Sequence, residues 1–156
     1  MAFHPHHTCD RKADATTQQG LFIGTRVMTL EGDLPVEFLN PGDRIVTRSG
    51  ARRLAALGVT ELTNAAMMRI SASAFGEDRP TGDRFIAPGQ PILVRDWRAK
   101  AMFGTPTAVV PAARLADGEW ISQETLPTAR LFTLHFEDDE VIYAEGLELA
   151  CAPLAA

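Results

Sequence analysis

Cysteine is scarce in this chain of 156 residues, and the two that occur, Cys9 and Cys151, stand far apart. Two cysteines do not make a disulfide framework, and without a second pair they do not make a zinc ribbon. Their number leaves the redox compartment undecided, although a reducing cytosol is compatible with them. The sequence therefore does not indicate a small domain held together by disulfides.

Long apolar runs are also missing, and none of the runs present reaches the length needed to cross a membrane. Residues 1–7 lack the basic and apolar regions of a secretory signal. We therefore expect no membrane association and no signal peptide, which is typical of a cytoplasmic protein or of one exported by a leaderless route.

Basic residues are outnumbered, because fifteen lysines and arginines stand against twenty acidic residues and give a net charge of −5. Proteins that bind nucleic acid without sequence preference neutralise phosphates with clustered basic side chains. Arg52 and Arg53 form the densest basic spot in this chain. The charge balance argues against a nucleic-acid partner.

Hydrophobic residues make up 46% of the chain, which is enough for one globular domain with a sizeable core. Residues 1–19 are polar and poor in branched aliphatic side chains, so we expect a flexible N-terminal arm, with the folded domain at residues 20–156. After Gly20, short apolar or alternating runs are separated by turn-forming residues. This pattern predicts an all-β domain.

The predicted strands are residues 25–30, 34–36, 44–47, 54–59, 67–71, 91–97, 107–110, 131–136 and 141–144. The segment Asn40-Pro41-Gly42-Asp43 predicts a type II turn, because Pro suits the first central position and Gly the second. Only residues 61–68 and 111–115 have helical length. We expect Trp97 and Trp120 to pack at the margin of the core.

Three separated segments carry a family resemblance: Gly-Leu-Phe-Ile-Gly-Thr-Arg-Val at 20–27, Ala-Pro-Gly-Gln-Pro-Ile-Leu-Val at 87–94 and Glu-Val-Ile-Tyr-Ala-Glu-Gly at 140–146. With the Pro-Gly-Asp turn between the first two, their order and spacing resemble the three blocks of the bacterial branch of the Hedgehog/intein (Hint) family. The resemblance covers about residues 20–153. It implies a Hint-like fold of two pseudo-symmetric β subdomains with short helical turns.

The residues on which the family's self-processing depends are substituted in this chain. The family's first block opens with a pattern like Gly-Cys-Phe-x-x-Gly-Thr, and we place its Cys at Leu21. The His of the second block falls on Gln90, and the His before the third block falls on Asp139. The family chemistry needs a thiol or hydroxyl to attack the preceding carbonyl, and a His to protonate the departing amide nitrogen. The resemblance therefore implies a degenerate domain that does not cleave itself, needs no cofactor, and acts as a binding or accessory module for an unknown protein partner.

Two alternatives stay open. An offset nucleophile would preserve autoprocessing with a displaced scissile bond, and the candidates are Cys9, Thr25 and Cys151. The second alternative is metal binding by the arm, where the His-x-His spacing suits zinc, copper or nickel. The densest set of potential ligands there is His4, His6, His7 and Cys9.

The remaining polar candidates have structural explanations. His135 alternates with apolar neighbours in a predicted strand, which favours a surface or hydrogen-bonded histidine over a catalytic base. Residues 137–140 are all acidic, but they lack the alternating ligand spacing of a calcium loop and favour a solvated turn. The sequence indicates neither the partner nor the oligomeric state.

Overall fold

A computed structural model describes residues 18–77 and 79–153 of the chain. Most of the expected N-terminal arm therefore lies outside the described residues. The described strands are β1 (Leu21–Phe22), β2 (Arg26–Thr29), β3 (Gly32–Pro35), β4 (Arg44–Thr47), β5 (Gly50–Arg53), β6 (Ala56–Ile70), β7 (Arg84–Ile86), β8 (Pro91–Val94), β9 (Ala108–Pro111), β10 (Ile121–His135), β11 (Glu140–Ala144) and β12 (Leu147–Cys151). Within the described ranges, one α-helix, α1 (Trp97–Phe103), and two 3-10 helices, Val36–Phe38 and Ala112–Leu115, connect them. The all-β prediction is confirmed.

The strands form two sheets. In the first, β1, β10, β6 and β7 close into a small barrel, in which Leu21 of β1 pairs with Phe132 of β10 and with Ile86 of β7. In the second sheet the order is β3-β2-β4-β11-β12-β8-β9, and β5 pairs with β4. This order places the end of β12 beside the start of β8, which is where the candidate site lies.

The main hydrophobic core lies between these sheets and takes side chains from both. Leu21 and Ile70 of the barrel belong to it, together with Ile45, Ile142 and Leu149 of the larger sheet. Alternation produces this arrangement, since successive residues of a strand face opposite sides. A second, smaller cluster surrounds Met67 and Leu131 on the paired strands β6 and β10.

The predicted helix at residues 61–68 is wrong, because this segment lies inside β6. Strand β6 is fifteen residues long and pairs with β10 along its length, from Ala56 opposite His135 to Ile70 opposite Ile121. Helix-forming residues such as Leu62 and Met67 therefore adopt extended backbone, since a partner strand outweighs weak local propensity. The predicted strands include none of β1, β5, β7 and β12.

The strand predicted at residues 91–97 ends at Val94, and Trp97 begins α1. The Asp96 carboxylate caps this helix by accepting a hydrogen bond from the backbone N–H of Arg98 at 3.0 Å. Trp97 is 67% exposed and Trp120 is also exposed, so the expectation that they pack at the core is wrong. No helix among the described residues is long and apolar enough to span a membrane.

The type II turn at residues 40–43 agrees with the backbone. Gly42 has a φ of +99°, and the N–H of Asp43 donates to the carbonyl of Asn40 at 3.0 Å. A positive φ at the second central position is the feature that requires glycine in this turn.

Candidate functional site

Gln90 joins the beginning and the end of the described fold. Its side-chain oxygen, Oε1, accepts a hydrogen bond from the backbone N–H of Gly20 at 3.0 Å. Its amide nitrogen, Nε2, donates to the carbonyl of Ala150 at 2.8 Å and to the carbonyl of Pro91 at 3.2 Å. The side chain is buried, and the residue is 3% exposed. One amide therefore bridges the residue before β1, the start of β8 and the end of β12.

The segment around Gln90 is held by backbone hydrogen bonds on several sides. The N–H of Gln90 donates to the carbonyl of Ala87 at 3.1 Å, and the carbonyl of Gln90 accepts from Ala112 at 3.0 Å. The N–H of Gly89 donates to the carbonyl of Gln18 at 2.7 Å. The incoming chain therefore lies along this segment, and the position of the Gln90 side chain is fixed before any ligand binds.

Gly20 is the residue that Gln90 touches, and its backbone requires glycine. Its φ is +135°, a region that residues with a Cβ rarely adopt. A Cβ built on Gly20 would lie 3.0 Å from the Cβ of Leu131 and 3.3 Å from the carbonyl oxygen of Phe132. Both neighbours belong to β10, so the space beside Gly20 is closed.

Leu21 follows Gly20 directly and has a structural role. It is buried, belongs to the main core, and pairs with Phe132 and Ile86 where the barrel closes. The structure thus brings the Leu21 segment and Gln90 together, but the amide of Gln90 contacts the backbone of Gly20. The side chain of Leu21 offers hydrocarbon alone to its surroundings.

Comparison with known proteins decides the family of this fold. A family model described as the Hint domain matches residues 20–151. The chain belongs to the Hint domain family. No curated protein matches the chain.

Solved structures agree on the Hint fold. A bacterial intein-like domain from Clostridium thermocellum is similar over 86% of this chain and 99% of its own, with a TM-score of 0.64 and 14% identity. A splice-inactive variant of the AceL NrdHF class 3 split intein covers 88% of this chain and 100% of its own, with a TM-score of 0.58 and 12% identity. The MchDnaB-1 intein covers 84% and 98%, with a TM-score of 0.55 and 11% identity. At these identities the likeness shows the fold alone.

The third predicted cleft position, Asp139, does not join Gln90 in this Hint domain. Asp139 is exposed and leads into β11, and β12 lies between β11 and β8. Its neighbour Glu140 is buried and accepts hydrogen bonds from the hydroxyls of Ser49 at 2.5 Å and Thr47 at 3.3 Å. The buried carboxylate of this segment is therefore that of Glu140, and it belongs to a hydroxyl network.

Cys151, one of the offset nucleophile candidates, is buried at the end of β12 opposite Glu140. Desolvation raises the pKa of the Cys151 thiol to about 12, and the Glu140 carboxylate adds to the rise. The thiolate is the nucleophilic form of cysteine, so this thiol is inert near neutral pH in the folded domain.

The other candidates are not gathered at the Gln90 site. The half-buried Thr25 follows β1, where its carbonyl accepts from the N–H of Val36 at 2.8 Å. His135 ends β10, and its Nδ1 is buried without a hydrogen-bond partner in the described part of the chain. Residues 18–77 and 79–153 contain no group of three or more His, Cys, Asp or Glu residues placed to hold a metal. The candidates outside the described residues are His4, His6, His7 and Cys9.

Proposed function

We propose that this Hint domain does not cleave itself and acts as a binding or accessory module. One observation carries the proposal: the second-block position is Gln90, and its amide oxygen accepts a hydrogen bond from the backbone N–H of Gly20. In the acyl shift, the nitrogen that departs belongs to the nucleophilic residue itself. The contact therefore supports Gly20 as the residue in the nucleophile position, and Gly20 has no side chain.

The spacing of the first block supports the same assignment. In the pattern Gly-Cys-Phe-x-x-Gly-Thr, three residues separate the Cys from the second Gly. Three residues separate Gly20 from Gly24, whereas only two separate Leu21 from Gly24. We therefore move the reactive position from Leu21 to Gly20, and in either register the chain offers no thiol or hydroxyl there.

Gln90 also cannot replace the acid of the family chemistry. A positioned general acid contributes about 10²–10⁴-fold to rate, and it must carry a proton to the leaving nitrogen. The Gln90 oxygen accepts from that nitrogen, and its NH₂ group is engaged by the carbonyls of Ala150 and Pro91. Because nucleophile and acid act as a unit, the loss of both leaves the scaffold with positioning alone.

The test is the intact mass of the freshly purified full-length chain, measured before and after incubation with dithiothreitol. We expect one unchanged mass in both samples. A fragment, or a thiol-dependent cut, would contradict the proposal. If a cut occurs, the double variant Cys9→Ser with Cys151→Ser identifies the type of nucleophile. A cut that persists in this variant points to a hydroxyl such as that of Thr25, and a cut that disappears points to a thiol.

A further inference from the structure

Away from the Gln90 bridge, three arginines converge on one buried carboxylate. Glu148 of β12 is 2% exposed. Its Oε2 lies 2.9 Å from Nε and 2.5 Å from Nη2 of Arg95, and 3.5 Å from Nη2 of Arg79. Its Oε1 accepts from Nη1 of Arg48 at 3.2 Å. One guanidinium neutralises one carboxylate, so this cluster holds more positive charge than Glu148 requires.

The surroundings of the cluster do not cancel that excess. Glu145 forms an ion pair with Arg84 at 3.1 Å and also accepts from the backbone N–H of Arg26 at 3.0 Å. Counting Asp33 as well, three carboxylates face five guanidinium groups, those of Arg26, Arg48, Arg79, Arg84 and Arg95. Two positive charges remain in excess on a chain whose net charge is −5.

A recess of about 390 Å³ on the larger sheet is lined by three of these arginines, Arg26, Arg79 and Arg95, and by the three carboxylates. Arg48 and Arg84 lie outside this lining and pair there with Glu148 and Glu145. The lining also includes Met28 and Tyr143. Tyr143 stands directly across from Glu148 in the β11–β12 ladder, and Met28 is exposed. The recess therefore presents guanidinium groups beside an apolar wall.

Donors in the recess are free to bind an incoming anion. Arg79 uses Nε on the carbonyl of Gly146 at 2.8 Å and Nη2 on Glu148, and Arg95 uses Nε and Nη2 on Glu148. The Nη1 groups of both arginines have no hydrogen-bond partner among residues 18–77 and 79–153. Each arginine can therefore donate a charge-assisted hydrogen bond from Nη1 to a carboxylate oxygen.

We propose that this recess binds an acidic peptide segment, which places a carboxylate on Arg79 and Arg95 and an adjacent apolar side chain on Met28 and Tyr143. Because Arg48 and Arg84 help to neutralise Glu148 and Glu145, the cluster as a whole favours an anion, and the side chains of Met28 and Tyr143 favour a hydrocarbon group beside it. The volume is within the range of about 300–1,000 Å³ that is typical of ligand pockets. This inference rests on the proposed binding role and names the class of partner.

Fluorescence anisotropy of the full-length protein tests it with the peptide amide Glu-Leu-Glu, labelled with fluorescein on its N-terminal nitrogen, and with the counterpart Gln-Leu-Gln, whose side chains are uncharged, labelled in the same way. We expect saturable binding of the first peptide that weakens with added salt, and at least tenfold weaker binding of the second, because hydrogen bonds to charged groups are worth about 1.5–3 kcal/mol. Arg95→Gln should weaken binding about tenfold or more for the same reason. Arg53→Gln removes the same charge from the exposed strand β5 and should leave binding within about twofold.

Several outcomes would overturn the proposal: no saturable binding at millimolar peptide, equal binding of both peptides, or equal losses in Arg95→Gln and Arg53→Gln. Binding of inorganic phosphate without binding of the acidic peptide would reveal a simple oxyanion site and reject the peptide. Thermal unfolding of each variant checks that the domain is still folded. We expect Arg95→Gln to fold, because Glu148 keeps its pairs with Arg48 and Arg79. The mass measurement reports separately on self-cleavage, so failure of one proposal is distinguishable from failure of the other.

Discussion

Replacing Gly20 with alanine tests whether the space around this residue, which we propose occupies the nucleophile position, admits glycine alone. Two effects oppose the added methyl group. A residue with a Cβ at a φ of +135° pays a backbone strain of about 1–3 kcal/mol. The new Cβ would also lie 3.0 Å from the Cβ of Leu131 and 3.3 Å from the carbonyl of Phe132, and overpacking of this kind costs about 1–3 kcal/mol.

The expected loss for Gly20→Ala is therefore about 2–6 kcal/mol in the free energy of unfolding, a large part of the 5–15 kcal/mol typical of a domain. Gly24→Ala is the matched control. Gly24 also has a positive φ, +90°, but a Cβ there would meet nothing within 4 Å. It shares the backbone strain without the contact, so Gly20→Ala should be the more destabilising by about 1–3 kcal/mol.

Equilibrium urea denaturation measures both variants, with stability compared through the midpoint at an unchanged m-value. If Gly20→Ala cost no more than Gly24→Ala, the closed space beside Leu131 would be refuted as a constraint. The result bears on function, because a cysteine at position 20 would carry the same Cβ. A Gly20→Cys variant would therefore lose a similar amount of stability, whatever its thiol could do.

Three further variants test the site and its neighbours. Gln90→Ala should cost about 2–4 kcal/mol in urea denaturation, because a buried bridge is lost and its partners are left unsatisfied, and a cost below about 1 kcal/mol would contradict the bridge. In a Cys9→Ser background, Cys151 of the folded protein should resist dithionitrobenzoate at pH 8, because burial raises the pKa of its thiol to about 12. The same thiol should react in concentrated urea, and rapid reaction of the folded protein would contradict its burial. Desolvation alone would raise the pKa of the exposed Asp117, but hydrogen bonds from the backbone N–H groups of residues 121, 119 and 120 lower this pKa below its usual value. The contribution of Asp117 to stability is therefore present above about pH 4 and is lost as the pH falls through the lowered pKa. Because Asp117 is exposed and solvent screens its charge, Asp117→Ala should cost only about 0.5–1 kcal/mol at pH 7 and less in acid. Asp117→Asn should retain most of the stability, and an alanine cost that is independent of pH would reject the assignment.

Local sequence signals predicted those elements whose geometry is decided by a few adjacent residues. The turn at residues 40–43 is one, since Pro and Gly restrict its central dihedral angles directly. Strand β4 is another, and it has its predicted bounds, Arg44–Thr47. The second-block resemblance likewise marked Gln90, which the structure places in a buried bridge.

Elements that depend on distant partners could not be predicted in the same way. Strand β6 contains good helix formers, and its extended form comes from β10, which lies more than fifty residues further along the chain. Glu148 places a charge within an apolar run, and for this reason the sequence pattern did not predict β12 as a strand. That charge is tolerated because arginines from three other segments of the chain surround it. The constraint on Gly20 is equally non-local, since the atoms that close the space belong to β10.

The bridge at Gln90 and the arginine cluster are separate features of the fold. In self-processing, the second-block side chain must reach the nitrogen at the domain's start, and Gln90 still makes that contact. Here the contact is a static hydrogen bond that joins the residue before β1 to the end of β12. Loss of proton transfer therefore does not require loss of the fold, because an amide can hold the same two backbone groups. The recess around Glu148 shares no side chain with that bridge. Substitutions that alter the bridge therefore leave the side chains of the recess in place, and the two proposals can be tested separately.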